Sequence, residues 1–188
     1  NRDARLPKRR PSAFQPEQCV IAEILVLVVF PALLLAAAGW DISSYTIPNW
    51  IPLALLATFA VFAIAVGMSP SMLGSHALAG VVGLAFGFAF FAFNFVGGGD
   101  AKLFACAALM LGFHDLLDYA LFASVLGGAL TLGILALRRM PLPHFLAVQG
   151  WILRLHDEDE GIPYGVALAI AAFIILPHTE IFQVAAAT

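Results

Sequence analysis

Charge is scarce in this sequence. Only 11% of its 188 residues are Asp, Glu, Lys or Arg, against 62% that are apolar, and the mean hydropathy is +0.95. A soluble domain of this length needs far more polar surface, so the composition indicates a chain that crosses a lipid bilayer several times. Cysteine is nearly absent. Cys19 and Cys106 lie in or beside apolar runs, and neither has a Cys or His neighbour at ligand spacing. Zinc and a disulfide framework therefore lack support, and both thiols read as small buried groups. The histidines, His76, His114, His144, His156 and His178, are scattered without ligand spacing, and most sit near the ends of apolar runs, which suits interfacial or solvated positions. No metal or other cofactor is expected. Basic residues form no stripe along a helix or groove-like face, so nucleic acid is not an expected partner. Five of the nine Lys and Arg residues crowd into the first ten positions. Residues 1–18 are set apart as a basic segment, and because the chain starts with Asn rather than Met the native N-terminus is left open.

What the sequence does have is long apolar runs, about 20 residues being enough to cross a bilayer. The windows are Cys19–Trp40, Trp50–Met68, Ala77–Val96, Ala101–Phe113, Tyr119–Leu137 and Tyr164–Ile181. Pro31 interrupts the first and Pro177 the last, and the fourth is short for a full crossing. Gly80, Gly83 and Gly87 give the third a small-residue face suited to close helix packing. The expectation is an all-α polytopic bundle of about six transmembrane helices, with residues 19–188 as one membrane domain embedded in the lipid bilayer. Its largest extramembrane piece is about 138–163. Within it, His144–Leu155 is mostly apolar and suits the interface plane, and Asp157-Glu158-Asp159-Glu160 reads as a solvated acidic run.

Two acids stand out. Asp41 follows the first window, before Pro48-Asn49, and Asp100 follows Gly97-Gly98-Gly99. A carboxylate costs roughly 2.5–3.5 kcal/mol at mid-bilayer on insertion scales, so an acid at such a boundary is a functional-site candidate. Two windows separate them, and an even number of crossings returns the chain to the same surface. The segments on that side hold Lys102, Arg138, Arg139 and Arg154, whereas the opposite loops, 69–76 and 114–118, hold no Lys or Arg. The positive-inside rule then places both aspartates in the cytoplasm. The basic N-terminus points the other way, and the loops are given precedence.

Three successive glycines are poor helix formers, each costing about 1 kcal/mol in a helix interior. They suit a sharp bend or the close approach of another chain. Lys102 can balance the local charge. Each acid taken alone can be an ordinary solvated helix end or loop residue. As a pair in one pocket they can share a proton, one acting as general base and the other as general acid, titrating as a unit. A transporter or channel subunit that binds protons or cations at these carboxylates is the alternative, and an assembly protein in which the glycines only pack helices is a third reading.

The combination of Asp41 with Ile47-Pro48-Asn49, then Gly97-Gly98-Gly99-Asp100-Ala101-Lys102, resembles the type IV prepilin peptidases. Gly161-Ile162-Pro163-Tyr164-Gly165 resembles that family's Pro-Tyr/Phe-Gly segment, so the likeness spans Asp41 to about Ala169. The resemblance implies a catalytic pair at Asp41 and Asp100 that cleaves the basic leader of a prepilin or pseudopilin at the cytoplasmic face of the bacterial inner membrane. Pro48, Asn49, Gly97, Gly99, Lys102, Pro163, Tyr164 and Gly165 carry the surrounding motif, with the glycines opening an approach to Asp100. Larger members of the family carry paired Cys-x-x-Cys motifs linked to N-methylation. These 188 residues have none, which resembles the peptidase-only class of Flp/Tad pili. The presenilin group shares Gly-x-Gly-Asp, but its Pro-Ala-Leu follows the second aspartate, whereas Pro31-Ala32-Leu33 precedes both acids here.

Lesser features are read plainly. Glu23 suits the interface, Asn94 a hydrogen bond to a neighbouring helix, and Asp115 with Asp118 a solvated turn.

Overall fold

In the computed structural model, which describes residues 16–141, 149–157 and 160–186, every regular element among those residues is helical. Helix α1 (Pro16–Ile24) passes through one π-helical turn (Leu25–Val29) into α2 (Phe30–Ser44). The widened turn has a local cause. Pro31 has no N–H to offer the Leu27 carbonyl and its ring crowds that carbonyl, so the helix opens just before it. Then come α3 (Trp50–Ala65), α4 (Pro70–Ala92), α5 (Gly98–Leu111), α6 (Leu116–Arg138), α7 (Gly150–His156) and α8 (Tyr164–Ile175). A 3-10 turn over Leu176–His178 leads to α9 (Glu180–Ala186).

Helices occupy all six apolar windows, and the protein is an all-α membrane bundle. Val20–Ser44, Pro70–Ala92 and Leu116–Arg138 are long and apolar enough to cross a bilayer. Tyr164–His178 and Glu180–Ala186, bent by 58° at Pro177 and its neighbours, make a fourth crossing if counted together. The 16-residue α3 rises only about 24 Å. Shorter still is α5, whose Leu103, Ala107, Ala108, Met110 and Leu111 are all buried. It is a core helix, with α3, α4 and α8 packed on it, so its length is not set by the bilayer.

The glycine face of α4 meets α5. A Cβ on Gly83 would lie 3.1 Å from the Ala108 Cβ, and one on Gly87 would lie 2.9 Å from the Ala101 Cα. That approach holds the Asp100 end of α5 against α4. On the other side α8 packs on α2, α5 and α6, which makes it the wedge between the helices that carry the two acids. Trp40 and Trp50 flank the α2–α3 turn, both half exposed and edge to face at 6.2 Å. Such a pair suits the membrane–water boundary.

Several expectations change. Helix α4 starts at Pro70, capped by the Ser69 hydroxyl, which accepts from the Met72 N–H at 3.3 Å. The segment 69–76 is therefore mostly helix, and His76 is buried, its Nδ1 2.7 Å from the Leu109 carbonyl and its ring tilted on Phe59. Asp115 is also buried, at 7% exposure, leaving only Asp118 solvated in that turn. Asn94 is exposed at φ 58° in the turn that ends α4, because the helix stops at Ala92 before reaching it. Glu23 is exposed on α1, and His114 and His178 are exposed. The apolar stretch after Met140 is helical over Gly150–His156, with Trp151 and Leu153 exposed. His144, Glu158, Asp159, residues 1–15 and the Cys19 side chain lie outside the described residues.

Candidate active site

Asp41 lies within α2, one turn before its end, because the helix runs on through Ser44. The Ser43 and Ser44 hydroxyls fold back on the last turn and donate to the Trp40 carbonyl at 3.2 and 2.8 Å. Tyr45 then turns left-handed at φ 52° and its N–H donates to the Asp41 carbonyl at 2.9 Å. The Asp41 side chain itself is buried, at 4% exposure.

Asp100 occupies the third position of α5, with Gly97 at the N-cap. Its Oδ2 reaches back to accept the Gly97 N–H at 3.2 Å, one of the donors that a helix start leaves unsatisfied. Its Oδ1 is buried and has no partner among the described residues. Gly98 and Gly99 form the first helical turn rather than an open loop. Gly99 answers to Ile47: a Cβ there would lie 3.1 Å from the Ile47 Cβ and 3.3 Å from its backbone nitrogen. The close approach that the glycines permit is thus, at this position, between two parts of the same chain.

Two further contacts join the motifs. Lys102 donates to the Asn49 Oδ1 at 2.8 Å, linking the start of α5 to the start of α3. Asn49 sits at the N-cap of α3 without capping it, so its amide oxygen serves Lys102 instead. Pro48 accepts the Ile51 N–H at 3.1 Å and shapes the turn that delivers Asn49. The third segment closes the site. Buried Pro163 is the N-cap of α8, Tyr164 its first residue, and the Gly165 N–H donates to the Asp41 Oδ2 at 2.7 Å. A helix start presents free N–H groups and a partial positive charge, so a carboxylate is well placed there. The Asp100 carboxyl lies within electrostatic reach of both Asp41 and this N–H. Gly165 admits no side chain: a Cβ would lie 2.8 Å from the Asp41 Oδ2 and 3.0 Å from the Ile47 Cδ1. Tyr164 packs against Gly127, and its hydroxyl accepts from the Thr131 Oγ at 3.2 Å.

All ten site residues expected from the sequence therefore fall at one end of the bundle, where α2, α3, α5 and α8 meet. Lys102 and Asn49 are at its exposed rim and the two acids are buried within it. Two contributors escape sequence reasoning as site residues. Ile47 is the apolar spacer between Gly99 and Gly165, and only its place beside Pro48-Asn49 marks it. Arg138, at the end of α6, donates to the carbonyls of Leu155, Glu160 and Gly161, each at 3.0 Å. It fixes the strand of chain that leads into Pro163. Cys106 is buried with its thiol 3.6 Å from the Pro52 carbonyl, as a small packing group. Among the described residues no three His, Cys, Asp or Glu side chains converge as a metal-ligating set.

Residues 28–132 match the family model described as the type IV leader peptidase family, a span that includes Asp41 and Asp100. The prepilin leader peptidase/N-methyltransferase of Bacillus subtilis (strain 168) is 38% identical over 161 residues, covering 79% of this chain. The chain spans 62% of that relative's length. No solved structure matches the chain.

Proposed function

Because this chain belongs to the type IV leader peptidase family, we propose that it is an integral-membrane aspartic endopeptidase acting on Flp-type prepilins, with Asp41 and Asp100 as its acid–base pair. The observation that carries this reading is that Asp41, bonded by the Gly165 N–H at the start of α8, and Asp100, in the first turn of α5, are both buried where α8 packs on α2 and α5. Two acids from distant segments thus share one end of an apolar bundle.

The chemistry needs no metal. One carboxylate takes a proton from water as the oxygen attacks the scissile carbonyl carbon. The other, protonated, gives its proton to the carbonyl oxygen. Collapse of the tetrahedral adduct breaks the C–N bond, and a proton passes to the leaving amine. The motif residues hold this arrangement: Gly99 and Gly165 let Ile47 pack between them, and Lys102 ties α5 to Asn49. Lys102, Arg138, Arg139 and Arg154 belong to the segments at the acid end, which supports a cytoplasmic orientation by the positive-inside rule. The relative's name couples the peptidase to a methyltransferase, and only the peptidase is proposed for this chain.

The test is direct. Purified protein in detergent is incubated with an Flp-type prepilin, and the product's N-terminus is sequenced. A new N-terminus just before the apolar segment supports the reading. No cleavage of any prepilin in a panel, by monodisperse helical protein, contradicts it.

A further inference from the structure

A cavity of about 770 Å³ lies among α4, α5, α6 and α8, and Asp100 lines it. Phe86, Phe104, Ala120, Ser124, Gly128 and Tyr164 are among its walls. Helix α4 packs on α5 and α6 on α8, which leaves the α4–α6 side as the opening. Phe86 and Leu117 border it and are 60% and 68% exposed, so in a bilayer the opening faces lipid. Along the shaft the Ser124 hydroxyl is already engaged, donating to the Ala120 carbonyl at 2.7 Å. The polar demand is at the Asp100 end. That side chain is only 8% exposed, and its Oδ1 has no partner among the described residues. A buried oxygen left so is costly unless a ligand completes it.

The α6 wall has a second property. Ala120, Ser124 and Gly128 recur every four residues and so share one face. Gly127 is filled by Tyr164, but a Cβ on Gly128 would meet nothing within 4 Å. In a bilayer a ridge of small residues admits another helix at close range. Among the described residues no helix fills it at Gly128, and the groove it borders ends at the unpartnered Oδ1 of Asp100.

We propose that this groove binds the apolar segment of the substrate that follows the cleaved bond, admitted sideways from the lipid between α4 and α6. The small α6 residues Ala120, Ser124 and Gly128 set its width. The polar leader stays in water, the amide at the polar–apolar junction lies at Asp100, and the apolar helix runs down the shaft. This rests on the peptidase reading above.

Ser124→Phe and Gly128→Leu fill the groove, and Val125→Phe, on an α6 position 69% exposed, outside the cavity and off the 120–124–128 face, is the control. The two groove variants are expected to cut a membrane-embedded prepilin at least about tenfold more slowly, the scale of losing one well-filled side-chain site. The control is expected to match wild type. In a second arm, a benzophenone amino acid replaces Ser124 or Val125 in the Asp41→Asn background and is illuminated with prepilin in vesicles. An adduct to the apolar residues just after the cleavage position, from 124 and not from 125, is the expected result. It decides the matter even if a bulky variant fails to fold. Wild-type rates in both groove variants, or adducts at 124 to lipid alone, overturn the groove. A wild-type protein that cuts no prepilin overturns the peptidase reading itself, and the groove falls with it.

Discussion

The Gly165 N–H, in the first turn of α8, donates to the Oδ2 of Asp41, in the last turn of α2, across 124 positions of sequence at 2.7 Å. This bond fixes the acid that no local motif holds. In Gly165→Ala the new methyl would stand 2.8 Å from the same oxygen, with Ile47 behind it at 3.0 Å. Something must shift, and overpacking of this kind costs about 1–3 kcal/mol. Cleavage is expected to fall more than thermal stability does, because the displaced atom belongs to one of the two acids proposed to carry the reaction. Parallel cleavage assays and melting curves check this.

Gly99→Ala tests the other face of the same spacer. Its Cβ would press on the Ile47 Cβ at 3.1 Å and the Ile47 nitrogen at 3.3 Å. The expected outcome is a loss of activity that Ile47→Val does not restore, since valine keeps the Cβ and the backbone nitrogen that the new methyl meets. A double variant as active as wild type argues against this contact as the cause of the loss.

Gly87 lies on α4, away from the carboxyls, yet a Cβ there would lie 2.9 Å from the Ala101 Cα, beside Asp100. Gly87→Val is expected to push α5 off α4, lowering stability by about 1–3 kcal/mol and slowing cleavage with it. Gly74→Val, where a Cβ meets nothing within 4 Å, is the matched control.

Arg138 holds three carbonyls at 3.0 Å, and a lysine ammonium does not reproduce that fork. Arg138→Lys is expected to loosen the chain that leads into Pro163. Limited proteolysis around Gly161 should speed up, and cleavage of prepilin should slow. Unchanged proteolysis means the clamp is not what orders this segment.

The Lys102–Asn49 bond at 2.8 Å is at the exposed rim, so its contribution to stability is small. A double-mutant cycle with Lys102→Ala and Asn49→Ala is expected to give a coupling of about 1 kcal/mol or less in melting experiments. A coupling well above that contradicts the reading of this bond as a weak contact at an exposed rim.

The two acids were legible because a carboxylate beside a long apolar run is rare, and counting crossings put both on one surface. The Gly80, Gly83 and Gly87 face was legible through its helical spacing, and α5 meets it. Helix α4's true start was present too, as Ser69 before Pro70, a capping residue followed by a first-turn proline. Reading that stretch as a loop is what left His76 in solvent. Helix α2 runs past Asp41 and stops only where Tyr45 turns left-handed, and Ser43-Ser44 in the sequence do not distinguish that last turn from a loop. Arg138 was hidden for a similar reason. A cation at the end of an apolar run looks like any interfacial anchor, and its partners are carbonyls that no sequence pattern marks. The cavity beside Asp100 depends on which helices fail to pack together, a property of the tertiary arrangement alone.

The most direct measurement compares wild type, Asp41→Asn and Asp100→Asn on one prepilin, purified in the same detergent and matched for melting temperature, with the product's N-terminus sequenced. Leader removal by wild type and its loss in each variant, with folding intact, is the expected result. Full cleavage by either well-folded variant contradicts the acid–base pair.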